Sequence, residues 1–362
     1  MTMNATFHSG VLQGRMLPKK ILLVDDSSTA LLMMRMVLKK LGDVQILTAW
    51  DGAEAVDKAE AFGPDLILMD VNMPVMDGLT AIKHIMVKCP TPVVMFSTLT
   101  GQGATETFEA LRYGAVDFLQ KPSRLQKEDL KSQHELIISR VKNAARAGID
   151  TIRYLRPAKV NDGQIIDDNR VCRRVFAIGS TYGSYGALLG LIPVIDSDLP
   201  AAFVSVLYAT PSHVDAFSRY LGQYSRLTVC RAQDGMPLAA GHCYLASAFE
   251  EIALDKDSDV LSFRLKERNG TDPKQASDHL MTSLSEALQA QASAILLSGI
   301  GDDGVAGVGR ILDGGGNAIV QDPKTCLCKD TTTAAIQRYG LPIIPPGRDM
   351  AKTVRSHCLA GA

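Results

Sequence analysis

From Lys20 to Pro122 the chain alternates short apolar runs with stretches whose apolar residues recur at helical spacing. Ile21–Val24, Gln45–Ala49, Leu66–Met69, Val93–Phe96 and Asp117–Leu119 predict strands. Ser28–Leu41 and Ala53–Phe62 predict helices between them. Strand–helix alternation of this kind predicts a parallel, doubly wound sheet covered by helices on both faces. Ser123 to Arg173 breaks the pattern. It is polar and charged, carries one amphipathic stretch from Leu136 to Ala145, and closes on Pro157 and the turn-prone Asn161-Asp162-Gly163. The alternation resumes at Arg174. Strands are expected near Val175–Ile178, Ala201–Leu207 and Ala294–Leu297, and helices near Val214–Gln223, Asp278–Ala290 and Val305–Leu312. Two α/β domains follow, spanning 20–123 and 174–345, with a helical linker over 124–173.

Composition narrows the class without changing this picture. The 362 residues are 46% apolar and 21% charged, and the net charge is −1. That balance fits globular domains and offers no basic field for nucleic acid or anionic lipid. Met1 to Lys20 lacks the apolar core of a signal peptide, and runs such as Ile295–Leu297 are too short to span a bilayer. A cytoplasmic protein without membrane insertion is expected. The seven cysteines are odd in number and form no Cys-x-x-Cys pair, so reduced thiols are expected, not a disulfide framework or a zinc site.

Candidate chemistry gathers at strand ends. Asp25 and Asp26 follow the first strand, and Asp70 follows the third. In an open parallel sheet ligands collect outside the carboxyl ends of the strands. Three carboxylates placed there need a hard cation to offset their repulsion, and Mg²⁺ both suits oxygen ligands and shares them with phosphoryl groups. Asp70 is then a natural nucleophile for forming an aspartyl phosphate. Lys121, beyond the fifth strand, can neutralise phosphate charge, and Ser97, at the end of the fourth, can donate to it.

With Val24-Asp25-Asp26-Ser27, Met69-Asp70-Val71-Asn72-Met73-Pro74 through Gly78, and Phe118-Leu119-Gln120-Lys121-Pro122, residues 20–123 resemble the response-regulator receiver family. The resemblance implies a flavodoxin-like fold and Mg²⁺ held by Asp25, Asp26, Asp70 and the Asn72 carbonyl. It also implies Ser97 and Phe118 as switch residues and a sensor histidine kinase as phosphodonor.

In the second domain, Ile178-Gly179-Ser180-Thr181-Tyr182-Gly183 is a strand-to-helix turn able to present a hydroxyl and backbone N–H groups. Leu297-Ser298-Gly299-Ile300-Gly301-Asp302-Asp303-Gly304 is a second such turn, carrying a carboxylate. With Gly241-His242-Cys243-Tyr244-Leu245-Ala246, Gly315-Gly316 and Gln321-Asp322, the chain from Lys20 to about Gly340 resembles the chemotaxis protein-glutamate methylesterases. That family joins a receiver to a domain that demethylates, and often deamidates, chemoreceptor side chains with a Ser-His-Asp triad. Phosphorylation of its receiver relieves occlusion of the active site.

The carry-over fails at two of three positions. Where the family has Gly-Ala-Ser-Thr-Gly-Gly, this chain reads Gly179-Ser180-Thr181-Tyr182-Gly183-Ser184, so Thr181 holds the nucleophile position. Where the family has Gln-His-Met-Pro-Pro, it reads Leu207-Tyr208-Ala209-Thr210-Pro211, so Tyr208 holds that of the base. Asp303 alone is as expected, and a Gly-Met-Pro beyond the last glycine-rich segment is replaced by Asp330-Thr331-Thr332. Tyr titrates near pH ~10, against ~6.5 for His, and is a poor proton acceptor at neutral pH. Threonine keeps a hydroxyl, but its methyl restricts χ1. Ser180 and His213 are displaced alternatives for nucleophile and base. His213, near the start of a helix, is expected on a solvated face or as a cap, and His242 and His279 at the surface. The expected function is a phosphorylated response regulator whose second domain binds a chemoreceptor or another signalling protein with impaired catalysis. An active methylesterase or glutamine deamidase is the alternative.

Overall fold

Leu66 to Met69 are fully buried along their whole length, as strands must be when helices cover both faces of a sheet. In this computed structural model, residues 17–97, 102–121, 127–148, 172–257, 260–268 and 275–359 are described. The first unit runs β1 (Lys20–Val24), α1 (Ser28–Leu38), β2 (Gln45–Ala49), α2 (Gly52–Phe62), β3 (Leu66–Asp70), α3 (Gly78–Lys88), β4 (Val93–Ser97), α4 (Gln102–Arg112), β5 (Asp117–Gln120) and α5 (Lys127–Ala144). Its sheet is parallel, in the order β2-β1-β3-β4-β5. Val24 pairs with Met69, so the carboxylates that follow β1 and end β3 emerge side by side. Short polar side chains start the helices. Ser27 accepts from Ala30 N–H, Asp51 from Ala53 and Glu54 N–H, and Asp77 from Thr80 N–H.

The amphipathic stretch expected in the linker is α5. Its Ile137, Val141 and Ala144, with Ala147 beyond, pack into one cluster with Ile21, Leu23, Met34 and Phe96, so the helix completes the first domain's core.

The second unit contains β6 (Arg174–Gly179), α6 (Tyr185–Leu191), β7 (Ala201–Leu207), α7 (Pro211–Gly222), β8 (Thr228–Arg231), β9 (His242–Ser247), β10 (Glu250–Asp257) and β11 (Val260–Glu267). It continues with α8 (Ala276–Leu288), β12 (Ala292–Leu296), α9 (Val305–Asp313), β13 (Asn317–Gln321), α10 (Asp330–Tyr339), β14 (Ile343–Ile344) and α11 (Arg348–Leu359). Seven parallel strands lie in the order β14-β13-β12-β6-β7-β9-β8, and β10 and β11 form a separate antiparallel hairpin. The loops after β12, β6 and β7 therefore leave neighbouring strands at one sheet edge. Packing continues past residue 345, because Met350, Val354 and Cys358 of α11 lie in the core.

The two units share an apolar cluster. Phe108 of α4 lies 5.2 Å from Phe217 and 5.5 Å from Tyr220 of α7, and Phe118 of β5 lies 4.9 Å from Tyr185 of α6 (ring centroids). Glu109 accepts from the hydroxyls of Tyr220 and Tyr224, each at 2.9 Å. At the centre sits Arg140 of α5, buried together with Asp117. One guanidinium nitrogen lies 2.9 Å from both Asp117 oxygens and donates to the Phe118 carbonyl at 3.1 Å, while the other donates to the carbonyl of Tyr208 in the second domain.

Removing one partner of a buried ion pair strands the other charge, which costs about 3–5 kcal/mol. Asp117→Ala should lose stability on that scale in urea unfolding of the full chain. The double replacement Asp117→Leu, Arg140→Met should recover most of it.

Candidate functional sites

The first site is built where β1 and β3 end. Asp25 and Asp70 are buried, and Asp26 is exposed. One carboxylate oxygen from each lies within 4.8 Å of the others. The Lys121 ammonium bridges two of them, 2.6 Å from Asp25 Oδ2 and 2.7 Å from Asp70 Oδ2. Asp25 Oδ1 accepts from Ser27 N–H at 2.9 Å and Asp70 Oδ1 from Val71 N–H at 2.8 Å. Burial raises the Asp70 pKa above the ordinary range, against the pull of Lys121. Burial also works against the Lys121 ammonium, but its hydrogen bonds to Asp25 and Asp70 outweigh it and hold its pKa up. Asp25 Oδ2 is fully buried, with the Lys121 ammonium 2.6 Å away as its partner. A set of hard oxygens with a lone pair left over fits a divalent cation such as Mg²⁺.

The loop after β3 is tightly constrained. A Cβ on Gly78 would stand 2.2 Å from the Asp70 carbonyl oxygen, so only glycine fits. Val75, 87% exposed, adopts φ of 61°, which is costly for a β-branched residue. Asn72 is exposed beside Asp70. Ser97 ends β4, but its side chain lies outside the described residues. Phe118 is buried, with Phe108 on the first-domain side and Tyr185 and His213 on the other.

The second site lies at the edge where β12, β6 and β7 end, and the loops beyond these strands carry Asp303, Thr181 and Tyr208. Tyr208 donates its hydroxyl to Asp303 Oδ2 at 2.7 Å. Burial, then the Asp303 charge, push the phenol pKa well above its usual value, so Tyr208 is a donor and no base. Asp303 also accepts from Ser277 N–H and Asp278 N–H at 3.0 Å, capping α8. Asp278 returns the arrangement, accepting from Gly304 N–H at 3.0 Å and Gly307 N–H at 2.6 Å at the start of α9. Thr181 Oγ1 accepts from Ile300 N–H at 2.9 Å. A Cβ on Gly299 would stand 2.4 Å from that hydroxyl, which explains the glycine. Among the described residues no hydrogen bond joins Thr181 to Tyr208.

The displaced alternatives do not gather at this site. Ser180 is fully buried, with its hydroxyl donating to the Val206 carbonyl at 2.7 Å and 3.0 Å from Ser205 Oγ. His213 is not on a solvated face, as its helix-start position suggested. It is buried at the domain boundary because α7 turns its first turn toward Phe118. His242 is likewise buried, not at the surface: it lies in β9, an internal strand, with its ring stacked on Tyr244. His279 is exposed. Thr331, where the family has its Gly-Met-Pro, donates to the Gly301 carbonyl at 3.1 Å.

Sequence reasoning missed Arg140, Tyr182 and Asp278. Arg140 interrupts the Ile137–Val141–Ala144 stripe, and a cation on an apolar stripe was the available signal. The Tyr182 ring, 5.5 Å from the Tyr208 ring, also lies 5.5 Å from the Arg140 guanidinium carbon. Arg140 of the first domain thus stands beside Tyr182 in the second.

A carboxylate–lysine cluster at the strand ends of a five-stranded parallel sheet, packed against a second doubly wound domain, defines a two-domain response regulator. Residues 21–134 match the response regulator receiver domain model, and residues 176–354 match the model described as CheB methylesterase. A protein-glutamate methylesterase/protein-glutamine glutaminase of Archaeoglobus fulgidus is 33% identical over 92% of this chain and 97% of its own length. One of Caldanaerobacter subterraneus subsp. tengcongensis is 33% identical over 90% and 93%, and one of Pyrococcus horikoshii 31% identical over 92% of each. The chain belongs to the CheB methylesterase family and has the architecture of a chemotaxis response regulator. Among the described residues no helix is long and apolar enough to cross a membrane.

A hydrogen bond to a charged group contributes about 1.5–3 kcal/mol. Tyr208→Phe, which deletes one of three donors to Asp303, should lower stability by the bottom of that range in denaturant unfolding. Asp303→Ala, which also uncaps α8, should cost clearly more.

Proposed function

We propose that this chain is a phosphorylation-controlled response regulator whose second domain binds its target with impaired catalysis. Asp70 is the phosphoryl acceptor, supplied by a sensor histidine kinase or a small phosphodonor. Supporting this are its place at the end of β3, its oxygen 2.7 Å from the Lys121 ammonium, and the neighbouring Asp25 and Asp26. Asp25, Asp26, Asp70 and the Asn72 carbonyl would hold Mg²⁺, which when bound neutralises the carboxylates and draws phosphoryl oxygens toward Asp70. Lys121 balances the charge that phosphate adds. Ser97 and Phe118 relay the change, and contacts of Phe118 with Tyr185 and His213 give it a direct route into the second domain. A receiver over 20–123, a linker over 124–173 and a second domain from 174 belong to this proposal, with α5 the part of the linker that packs on the receiver core.

Impairment is carried by one observation: the Asp303 carboxylate, which would orient an imidazole, is bonded to the Tyr208 phenol. Without a base beside it, Thr181 has no group to take its proton. Losing a triad member leaves about 10³–10⁴ over water in a hydrolase, from binding and the oxyanion hole. The target would then be a methyl-accepting chemoreceptor or another signalling protein, held without turnover in a cytoplasmic setting. The alternative, an active methylesterase or glutamine deamidase, is favoured by the names of the relatives, all protein-glutamate methylesterase/protein-glutamine glutaminase.

Two measurements separate these readings. Full-length protein given a small phosphodonor and Mg²⁺ should take up phosphate on aspartate, and Asp70→Asn should take up none. Methanol release from methylated chemoreceptor should stay at background with and without the phosphodonor, and should rise in Thr181→Ser, Tyr208→His. Release by the parent within about tenfold of a family relative, or about 1.4 kcal/mol of barrier, would install the enzyme reading instead.

A further inference from the structure

The interface contains a titratable group that neither site uses. His213 stands in the first turn of α7 and is 8% exposed. Its Nδ1 lies 2.5 Å from the Thr210 hydroxyl. Its Nε2 is buried and has no partner. The ring lies against Phe118, centroids 5.3 Å apart at 37°. The groups around it are few. From β5 come Phe118 and Asp117, and Asp117 is committed to Arg140. From α5 comes the Arg140 guanidinium, and from α6 Tyr185, whose phenol stays neutral. Glu109 and Arg112 of α4 bond Tyr220 and Tyr224, further along α7. On α7 itself, Asp215 is bonded to Arg219. Among the described residues the charge acting on the ring is thus a cation, and no carboxylate waits for an Nε2 proton.

We infer that His213 makes the packing of the two domains proton-sensitive: the closed form holds its imidazole only as the neutral base, so acid opens the interface. This rests on the proposed relay through Phe118, by which phosphate at Asp70 would part the two domains. Burial, and then the Arg140 charge, push the His213 pKa down to about 3 in the closed form. Once solvated it returns to about 6.5. The closed form therefore has the full contribution above pH ~6.5 and loses it as pH falls from there toward 3. With those two values the opening constant is about tenfold larger at pH 5.5 than at pH 7.5.

Two other interface carboxyls are separable. Burial raises the Asp117 pKa, and if opening relieves it the effect has the opposite sign. The Glu109 pKa is lowered: burial raises it, but Tyr224, Tyr220 and Arg112 outweigh that, so it titrates below this window.

The test is single-molecule energy transfer in the full chain, with dyes on the exposed positions Val87 and Val260 through encoded reactive residues. Opening is followed from pH 7.5 to 5.5, with and without the phosphoryl mimic beryllofluoride. The unmodified protein should open about tenfold more at pH 5.5, while His213→Gln and His213→Asn should show a flat profile. A flat profile in the parent, or an equal slope in both variants, overturns the inference. Opening by beryllofluoride without a pH response removes the inference and leaves the phosphorylation reading standing. A pH response without opening by beryllofluoride does the reverse, and no opening under either condition ends both.

Discussion

The buried guanidinium of Arg140 ties the molecule together. It answers the Asp117 carboxylate and the Phe118 carbonyl within the receiver and the Tyr208 carbonyl across the boundary. Such a cation is tolerable in a dry interface only while its partners stay in place. β5, α5 and the loop after β7 are thereby held to a common geometry. The aromatic packing of Phe108 and Phe118 on α6 and α7 then closes around a fixed point. Detaching the receiver would mean returning one face of that guanidinium to water along with a buried apolar surface.

This arrangement links the two candidate sites in space. Lys121, which bridges Asp25 and Asp70, lies three residues beyond Phe118, and Phe118 touches the second domain. One residue before Phe118, Asp117 holds the arginine that reaches the loop of Tyr208. The acidic cluster at Asp70 is therefore joined to the loop of Tyr208 through one short strand, β5, and the arginine it holds.

Much of the fold was legible in the sequence, and the reasons are local. The buried parallel strands read as continuous apolar runs, so the five strands of the first sheet and β7 were placed to within a residue or two. The β10–β11 hairpin was missed because only alternate residues, Ile252, Leu254, Leu261 and Phe263, are buried, so no continuous apolar run marks either strand. The Asp25–Asp70–Lys121 pocket was legible because each residue sits at the end of its own strand. The second site was legible by position, but its bonding was not. Nothing in the spacing said that Asp303 would turn to Tyr208, or that His213 would face Phe118 and not solvent. Those outcomes depend on how two domains meet, which no local pattern encodes.

Asp303 and Asp278 each close the start of the other's helix, α8 and α9. The position that the resemblance places in a triad is thus a fastener of the fold as much as a piece of chemistry. Selection for folding alone would keep an aspartate there whatever stands at the nucleophile and base positions. In a family inventory that scores intact residues, Asp303 would count toward an active enzyme, yet its presence by itself already follows from two helices being pinned at their starts.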